Sequence, residues 1–214
     1  MSILFTKIHD SSNFIHPTAI VDDDVNMGLN NYIGPFCIIR NNVMIGSNNR
    51  FESHCCIGSL PEHKDYFNTG TSFGVRIGDE NTFREFITIN AGTIQNTLIG
   101  NNNILLRGSH FSHDSIMRDN CTLSCNVLIG GHSIILDGAN MALGSICHQY
   151  SIIGHYSLVG MGGIVTKQNK IEPGNIYIGN PAKLLKYNII GLKRNDISKE
   201  QLQLFQKEYK SLLK

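Results

Sequence analysis

Four histidines near the middle of the chain have the spacing of a catalytic or binding cluster. They are His110, His113, His132 and His148, and Asp114 directly follows the second of them. An imidazole beside a carboxylate can act as a general base, because the carboxylate orients the ring and stabilises its protonated form. The pair His113–Asp114 is therefore the first candidate for chemistry in this sequence.

An apolar residue recurs at every sixth position and defines the scaffold that must carry these side chains. The repeat begins at Ile15, is interrupted at 59–74, slips by four residues after Ile89, and then runs from Ile99 to Ile171 without a miss. A period of six fits neither a helix nor an alternating strand. It does fit a solenoid in which a short strand and a turn form one side of a polygon. We therefore predict an all-β solenoid.

Three such sides give a coil of about 18 residues, in which each residue lies beside the one that follows it one coil later. His113, His132 and His148 are separated by 19 and 16 residues, so each returns to nearly the same edge one coil further along. His110 lies near the adjacent corner. The repeat therefore predicts that one wall of the solenoid gathers these imidazoles within about 5 to 10 Å of one another.

The residues alone leave other interpretations open. A single histidine in a turn is most often a surface residue, as we expect for His54 and His155. Clustered histidines can bind a metal, but the ordered spacing of zinc ligands is absent and Asp114 is the only nearby acid, so we predict no metal site. Cys121 and Cys125 fit positions for small buried side chains. General-base catalysis is favoured, with a non-catalytic β-helix scaffold and a zinc-dependent hydrolase as alternatives.

The composition argues against several classes of partner. The net charge is +1 and no lysine or arginine block is present, so nothing indicates a nucleic-acid partner. No apolar run is long enough to predict a membrane span, and the first 13 residues lack the apolar core of a signal peptide. The six cysteines form no CxxC pair. These features predict a cytoplasmic protein with reduced thiols.

The C-terminal part of the chain changes character. The stretch 183–214 has helical spacing, and Ser198 with Gln201 predicts a capping box at the start of a long helix. We predict a β-helix domain over 1–182, with a protruding loop at 59–74, and a short C-terminal α-helical segment over 183–214. The helix is expected to cap the open end of the solenoid or to pack on a neighbouring subunit.

Together, the repeat and the histidine pattern resemble the hexapeptide-repeat acyltransferases. The stretches that carry the resemblance are 15-IHPTAIVDDDVNMGLNNYIGPFCI-38, 84-REFITINAGT-93, 110-HFSHD-114, 129-IGGH-132, 147-CHQYSIIG-154 and 191-GLKR-194. Within that family they are most similar to the UDP-N-acetylglucosamine O-acyltransferases of lipid A biosynthesis, over roughly residues 13–200. The resemblance implies a left-handed parallel β-helix and a homotrimer with sites between its subunits.

The resemblance also implies roles for individual residues. His113 would be the general base, Asp114 would support it, and the backbone N–H of Gly131 would stabilise the oxyanion of the tetrahedral intermediate. The residues implied around the substrates are His110, His132, His148 and Gln149 for the sugar and the thioester, Met161 for the acyl chain, and Asn188 and Arg194 for the nucleotide.

The implied reaction is acyl transfer from a thioester to a hydroxyl or amine of a nucleotide-linked sugar, for surface glycan or lipopolysaccharide synthesis, with no tightly bound cofactor. Three departures favour a short acyl-CoA such as acetyl-CoA as the donor: the short C-terminus, Met161, and the stretch 177-YIGNPAK-183, which is similar to acetyl-CoA-dependent members. An O-acyltransferase of lipid A biosynthesis that uses acyl carrier protein is the alternative. In loop 59–74, the triplet 63–65 is only a loose counterpart of the family's acid and lysine.

Overall fold

The body of the protein is a left-handed parallel β-helix of about 9 turns, as the sequence predicts. A computed structural model describes residues 12–66 and 73–213. Very short strands stack into three sheets that form the sides of a triangular prism. We call the edge between the first and second sheets the first corner, the edge between the second and third sheets the second corner, and the edge between the third and first sheets the third corner.

Each coil contributes one strand to each sheet. The first sheet consists of Phe14–Ile15, Tyr32–Ile33, Arg50–Phe51, Thr82–Phe83, Ile104–Leu105, Thr122–Leu123, Asn140–Met141, Leu158–Val159, Asn175–Ile178 and Lys183–Tyr187. The second consists of Ile20–Val21, Ile38–Ile39, Cys56–Ser59, Thr88–Asn90, His110–Phe111, Leu128–Ile129, Ile146–Cys147 and Ile164–Val165. The third consists of Asn26–Met27, Val43–Ile45, Val75–Ile77, Thr97–Ile99, Ile116–Met117, Ile134–Ile135 and Ile152–Ile153.

The apolar residues of the six-residue repeat form the core. Leu105, Leu123, Met141 and Val159 stack in one ladder, each in register with the next and each with no exposed surface. Burying a side chain of this size contributes about 1.5–3 kcal/mol of transfer free energy. Because successive members of the ladder lie one coil apart, each coil completes its core only against its neighbours.

A ladder of buried asparagines holds the third corner together. Asn31, Asn49, Asn81 and Asn103 are almost completely buried and stack at the same position of successive turns. The Oδ1 atoms of Asn31, Asn49 and Asn81 each accept a hydrogen bond of 2.8–2.9 Å from the backbone N–H of the next asparagine along the ladder, and that of Asn103 accepts from the N–H of Cys121 at 2.7 Å. Burial of an amide is costly unless its polar atoms are paired. The ladder pairs every one of these oxygens and links successive coils at this edge.

Two insertions interrupt the register, and both enlarge the second corner. Phe51 pairs with Phe83, which lies 32 residues later instead of 18, and Phe83 pairs with Leu105, which lies 22 residues later. The first insertion is the predicted loop 59–74, of which residues 67–72 lie outside the described part. The second is the four-residue slip of the sequence repeat, which lengthens the turn at 91–96. The core ladder continues across both insertions.

The C-terminal part packs on the last coils. Helix α1 spans Ile189–Arg194 and helix α2 spans Lys199–Leu212. The predicted capping box is present at the start of α2, where the Ser198 hydroxyl accepts from the N–H of Gln201 at 3.2 Å. The ring of Phe205 stacks on that of His155 with centroids 4.3 Å apart, and His155 has no exposed surface, so the prediction that it is a surface residue was wrong.

Residues 183–187 differ from the helical prediction for 183–214. They form the edge strand of the first sheet and pair antiparallel with 175–178. Hydrogen bonds to a neighbouring strand therefore override the local helical pattern there, and the helices begin only at Ile189. Among the described residues, no helix combines the length and the apolar character that a membrane span requires.

Candidate active site

Three stacked turns at the second corner bring most of the predicted catalytic residues together. The turns cover residues 112–115, 130–133 and 148–151. His113, Gly131 and Gln149 occupy the same position of successive turns. His132 lies one position after this column, and His148 lies one position before it. The offsets of 19 and 16 in the sequence therefore correspond to neighbouring positions on one edge, as predicted.

The next position of the three turns is occupied by Asp114, His132 and Tyr150. All three have positive φ angles, of 60°, 58° and 61° respectively. Asp and His tolerate this backbone region better than most non-glycine residues, whereas Tyr adopts it at a greater cost. The rings of His132 and Tyr150 stack in parallel with centroids 4.5 Å apart, which fixes the His132 ring beside Asp114.

The centre of the site is a buried His113–Asp114 pair. Nδ1 of His113 lies 2.7 Å from Oδ2 of Asp114, and the two residues are 5% and 1% exposed. An ionised carboxylate can only accept hydrogen bonds, so the proton in this bond belongs to Nδ1 of His113. Nε2 is then left as the nitrogen that can take up a proton. This is the arrangement that a general base requires.

Asp114 is held by the lengthened turn of the preceding coil. Its Oδ1 atom accepts from the backbone N–H groups of Thr93, Ile94 and Gln95 at 2.8, 2.9 and 3.1 Å, and its Oδ2 atom accepts from the Thr93 hydroxyl at 2.6 Å. Burial alone would raise the pKa of this carboxyl group. The hydrogen bonds from Thr93, His113 and the backbone outweigh that effect and lower the pKa to about 2. Asp114 is therefore an anion at neutral pH.

Gly131 provides the space for the catalytic ring. A Cβ atom at this position would lie 2.8 Å from Cε1 and 2.9 Å from Nε2 of His113. The imidazole therefore rests directly on the Gly131 backbone, and any larger residue would displace it. This contact gives a steric reason for the glycine that is separate from the oxyanion role implied by the family resemblance.

Two further histidines lie close to the pair. Nδ1 of His110 is 2.8 Å from the Thr88 hydroxyl, and burial lowers the pKa of His110. Nε2 of His132 is 3.6 Å from Oδ2 of Asp114, and its ring meets that of His113 edge to face at 5.2 Å. Burial also lowers the pKa of His132, in spite of the nearby carboxylate. Both rings therefore favour the neutral form and can donate or accept hydrogen bonds to a bound substrate.

The described part of the protruding loop reaches the same site. The ring of His63 meets that of His113 edge to face with centroids 5.4 Å apart. Oε2 of Glu62 lies 3.9 Å from Nε2 of His110. The sequence identified the loop as a candidate functional element and named His63 only as a loose counterpart of a family residue. The structure places that histidine against the catalytic ring.

The histidine cluster also has the proximity of a metal site, because His113, Asp114 and His132 offer ligand atoms within 4.8 Å of one another. However, both oxygens of Asp114 are occupied by donors from the turn at 93–95 and from His113. A metal ligated by this carboxylate would have to break those bonds. The donor set therefore fits a proton-transferring pair better than a metal centre.

The other predicted residues are exposed on the same edge or lie elsewhere in the fold. His148 is exposed, and its Nδ1 atom lies 2.9 Å from the carbonyl oxygen of the neighbouring Gln149, which is also exposed. Met161 is 73% exposed and belongs to the first corner. Within a single chain it therefore does not close a pocket beside His113.

Asn188 and Arg194 line a separate cavity of about 280 Å³ beside the first sheet and the third corner. Asn188 is buried and caps helix α1: its Oδ1 accepts from the N–H of Gly191 at 3.1 Å, and its Nδ2 donates to the carbonyl of Tyr156 at 2.9 Å. The side chain implied to contact a nucleotide thus has a structural task. A single chain does not bring this cavity to the second corner.

Three residues that support the site were not singled out from the sequence. They are Thr93, Gln95 and Thr97, and the hydroxyl of Thr97 accepts from the backbone N–H of Asp114 at 3.0 Å. The sequence signal that could have identified them was the four-residue slip in the apolar repeat. A local insertion in a regular coil indicates a turn that differs from its neighbours and can make contacts that they do not.

The fold and the site together define a β-helix protein that carries a buried, hydrogen-bonded histidine–aspartate pair on one corner. Solved structures with this architecture match almost the whole chain. The UDP-N-acetylglucosamine O-acyltransferase of Moraxella catarrhalis is 30% identical, with a TM-score of 0.70 over 91% of this chain and 82% of that one. The UDP-N-acetylglucosamine acyltransferase of Francisella novicida is 28% identical, with a TM-score of 0.78 over 92% of this chain and 78% of that one. The chain belongs to the hexapeptide-repeat acyltransferase family.

Curated sequences agree with this assignment. The acyl-(acyl-carrier-protein)–UDP-N-acetylglucosamine O-acyltransferase of Gloeothece citriformis is 31% identical over 156 residues, which are 72% of this chain and 55% of that protein. The enzyme of the same name from Ectopseudomonas mendocina is 33% identical over 138 residues, 63% of this chain and 52% of that protein. The chain thus spans about half the length of the curated relatives it matches. No family model matches it.

Proposed function

We propose that this protein transfers an acyl group from a thioester to a hydroxyl or amine of a nucleotide-linked sugar. The observation that carries the proposal is the buried His113–Asp114 pair, whose bond of 2.7 Å leaves Nε2 of His113 available as a base. The reaction needs one proton acceptor at the nucleophile and one donor at the developing oxyanion. Residues of the second corner can fill both roles.

In the proposed step, Nε2 of His113 takes the proton of the sugar hydroxyl or amine while that atom attacks the thioester carbonyl. The backbone N–H of Gly131 stabilises the negative charge on the carbonyl oxygen. Collapse of the tetrahedral intermediate breaks the carbon–sulfur bond, and the proton on His113 is available to the leaving thiolate. Asp114 remains an anion and stabilises the protonated ring. His132 and His110 line the same corner and contact the substrates.

The acceptor is proposed from the relatives, whose names specify UDP-N-acetylglucosamine. Arg194, in the cavity beside the first sheet, offers a cation for a phosphate oxygen or a nucleotide base. Two donors are supported by different observations. The names of the curated relatives specify acyl carrier protein, whereas Met161 at the implied acyl-chain position supports a short acyl-CoA such as acetyl-CoA.

We also propose a homotrimer with sites between its subunits. Seven large apolar side chains are exposed along the first corner and the outer face of the second sheet: Ile20, Phe36, Phe86, Leu128, Leu143, Ile146 and Met161. A continuous apolar surface of this kind is typical of a subunit interface. In a closed ring, a neighbouring chain can bring its Met161 and its nucleotide cavity to the second corner. Light scattering that returns the mass of a monomer would contradict this arrangement.

A cytoplasmic location belongs to the same proposal. All six cysteines are free thiols, which fits a reducing compartment.

The test incubates the purified protein with acetyl-CoA or with acyl carrier protein that carries acyl groups of several chain lengths. Each donor is combined with a panel of UDP- and dTDP-linked sugars, and the release of free thiol is measured. Transfer with at least one pair of substrates is expected, and its identity decides between the two donors. Replacement of His113 by Ala should lower kcat by about 10²–10⁴-fold while the oligomer stays intact. Absence of transfer with every pair, or near wild-type turnover in His113→Ala, would contradict the proposal.

A further inference from the structure

The turn that interrupts the repeat at 91–96 forms a socket for one carboxylate. Three consecutive backbone N–H groups, those of Thr93, Ile94 and Gln95, converge on Oδ1 of Asp114. Successive amides that point at one atom form an anion-binding concavity. The turn therefore binds the Asp114 carboxylate through backbone N–H groups, in the way that such a concavity binds a free anion.

The residues around the socket are arranged for this contact. A Cβ atom at Gly92 would overlap the carbonyl oxygen of Gln95 and would lie 3.0 Å from Oδ1 of Asp114, so this position requires glycine. The Gln95 side chain donates to the backbone carbonyl of Asp114 at 2.7 Å, and the Thr97 hydroxyl accepts from its N–H at 3.0 Å. The aspartate is thus held by its backbone as well as by its side chain, at a φ of 60°.

Within the socket, the Thr93 hydroxyl donates a hydrogen bond to Oδ2 of Asp114, the same oxygen that accepts from His113. The Thr93 hydroxyl lies 2.6 Å from Oδ2 of Asp114, and Nδ1 of His113 lies 2.7 Å from the same oxygen. The three backbone amides fix Oδ1, but Oδ2 can still rotate about the carboxylate axis unless a second contact fixes it. The hydroxyl provides that contact.

We propose that Thr93 is a positioning residue that aims Oδ2 of Asp114 at Nδ1 of His113 and thereby fixes the tautomer and orientation of the base. The consequence for turnover rests on the proposed acyl transfer, whereas the geometry of the His113–Asp114 bond does not. Thr93 itself touches no reacting atom. Its effect reaches the reaction through the carboxylate and then through the ring.

The charged and titratable groups that face His113 do not offer an equivalent contact. Besides Asp114 they are His132 on the following coil and His63 on the protruding loop, with ring centroids 5.2 and 5.4 Å away. Glu62 lies beside His110 and not beside the pair. Among the described residues, Thr93 is the side chain besides His113 that donates a hydrogen bond to Oδ2 at less than 3 Å.

The test compares Thr93→Val, which replaces the hydroxyl by a methyl group of the same size, with Thr93→Ser, which keeps the hydroxyl. A methyl carbon cannot stay 2.6 Å from an oxygen, so Oδ2 must move and the bond to His113 must lengthen. We expect kcat of Thr93→Val to fall about tenfold to a hundredfold with little change in KM, because small displacements of a catalytic group cost this much. Thr93→Ser should keep most of the wild-type kcat.

A second readout does not depend on the substrates. In ¹H–¹⁵N NMR spectra of histidine-labelled protein without substrate, the Nδ1–H resonance of His113 should lie far downfield in the wild type and in Thr93→Ser. It should move upfield or disappear in Thr93→Val. An unchanged resonance in folded Thr93→Val would overturn the proposal even if no acyl transfer were found. A changed resonance without measurable transfer in the wild type would instead count against the proposed function alone.

One control and one further variant separate positioning from general damage. Thr122→Val makes the same replacement on a half-buried strand position of the first sheet and should leave both readouts unchanged. Thr93→Ala removes the same hydroxyl without placing a methyl group against Oδ2, which keeps the proposal testable if Thr93→Val does not fold. Wild-type kcat and an unchanged His113 resonance in Thr93→Ala would contradict the proposal.

Discussion

The third and second corners of the prism are built from the same four-residue turn but serve different purposes. At the third corner, buried asparagines repeat at one position and each amide binds the next turn. At the second corner, the equivalent turns carry His113, Asp114 and His132, whose polar atoms face one another and the opening of the site. The first arrangement pairs its side-chain oxygens within the fold, whereas the second leaves Nε2 of His113 available as a proton acceptor.

The difference comes from the two insertions. The asparagine ladder passes the register shifts of 32 and 22 residues without a break, because both insertions leave the chain at the second corner. The longer one places His63 against His113, and the shorter one forms the socket for Asp114. In this solenoid the candidate site thus lies where the repeat is interrupted. The uninterrupted edges form the regular scaffold on which the site residues are mounted.

The largest expected difference in activity between the corners comes from adding a single methyl group at position 131. Gly131→Ala should displace the His113 ring and lower kcat by about tenfold to a hundredfold, because a Cβ there would lie 2.8 Å from the imidazole. Gly144→Ala at the first corner is the matched control. Its Cβ meets no atom within 4 Å, but its φ is 64°, so it should cost about 1 kcal/mol of stability and leave kcat unchanged. Equal activity of the two variants would contradict this account of Gly131.

An intermediate effect is expected at the third corner, on stability instead of activity. Asn49→Ala removes the oxygen that accepts from the backbone N–H of Asn81 at 2.9 Å. A buried donor without a partner costs about 1–3 kcal/mol, so the free energy of unfolding measured by urea titration should fall by that amount. The activity of the folded fraction should not change. Asn26→Ala, at an exposed strand position, should shift stability by no more than about 0.5 kcal/mol, and a similar loss in both variants would remove the special role of the ladder.

The effect confined to the narrowest condition, low pH, is the acid dependence that Asp114 contributes. Its pKa is about 2 in the folded protein and 3.8 in the unfolded chain, so the unfolded chain takes up a proton first as the pH falls. The contribution to stability is complete above pH 3.8, amounts to about 2 kcal/mol, and is lost as the pH falls towards 2. Urea unfolding of wild type and Asp114→Asn at pH 7, 4 and 2.5 measures it. The asparagine variant should lack this part of the acid dependence, and parallel pH profiles would contradict the assignment.

Much of the fold could be predicted because the regular geometry of a solenoid requires a regular apolar repeat in the sequence. Each core residue contacts its neighbours one coil away, so the six-residue apolar period fixes the strands, the register and the stacking. The same regularity predicted that His113, His132 and His148 meet on one edge. It did not predict the strand at 183–187, because pairing with 175–178 outweighs the local helical pattern.

The sequence by itself determined the scaffold and the candidate base His113–Asp114, whereas the steric need for a glycine at position 131 became visible only in the structure. Only the tertiary structure decided which groups hold the pair, since Thr93 and Gln95 reach Asp114 through a turn whose shape cannot be deduced from periodicity. It also decided that Asn188 caps helix α1 and that Met161 lies exposed at the first corner. The physical reason is the same in each case: a repeat specifies the contacts between equivalent positions, whereas insertions and chain ends make contacts that have no equivalent elsewhere in the coil.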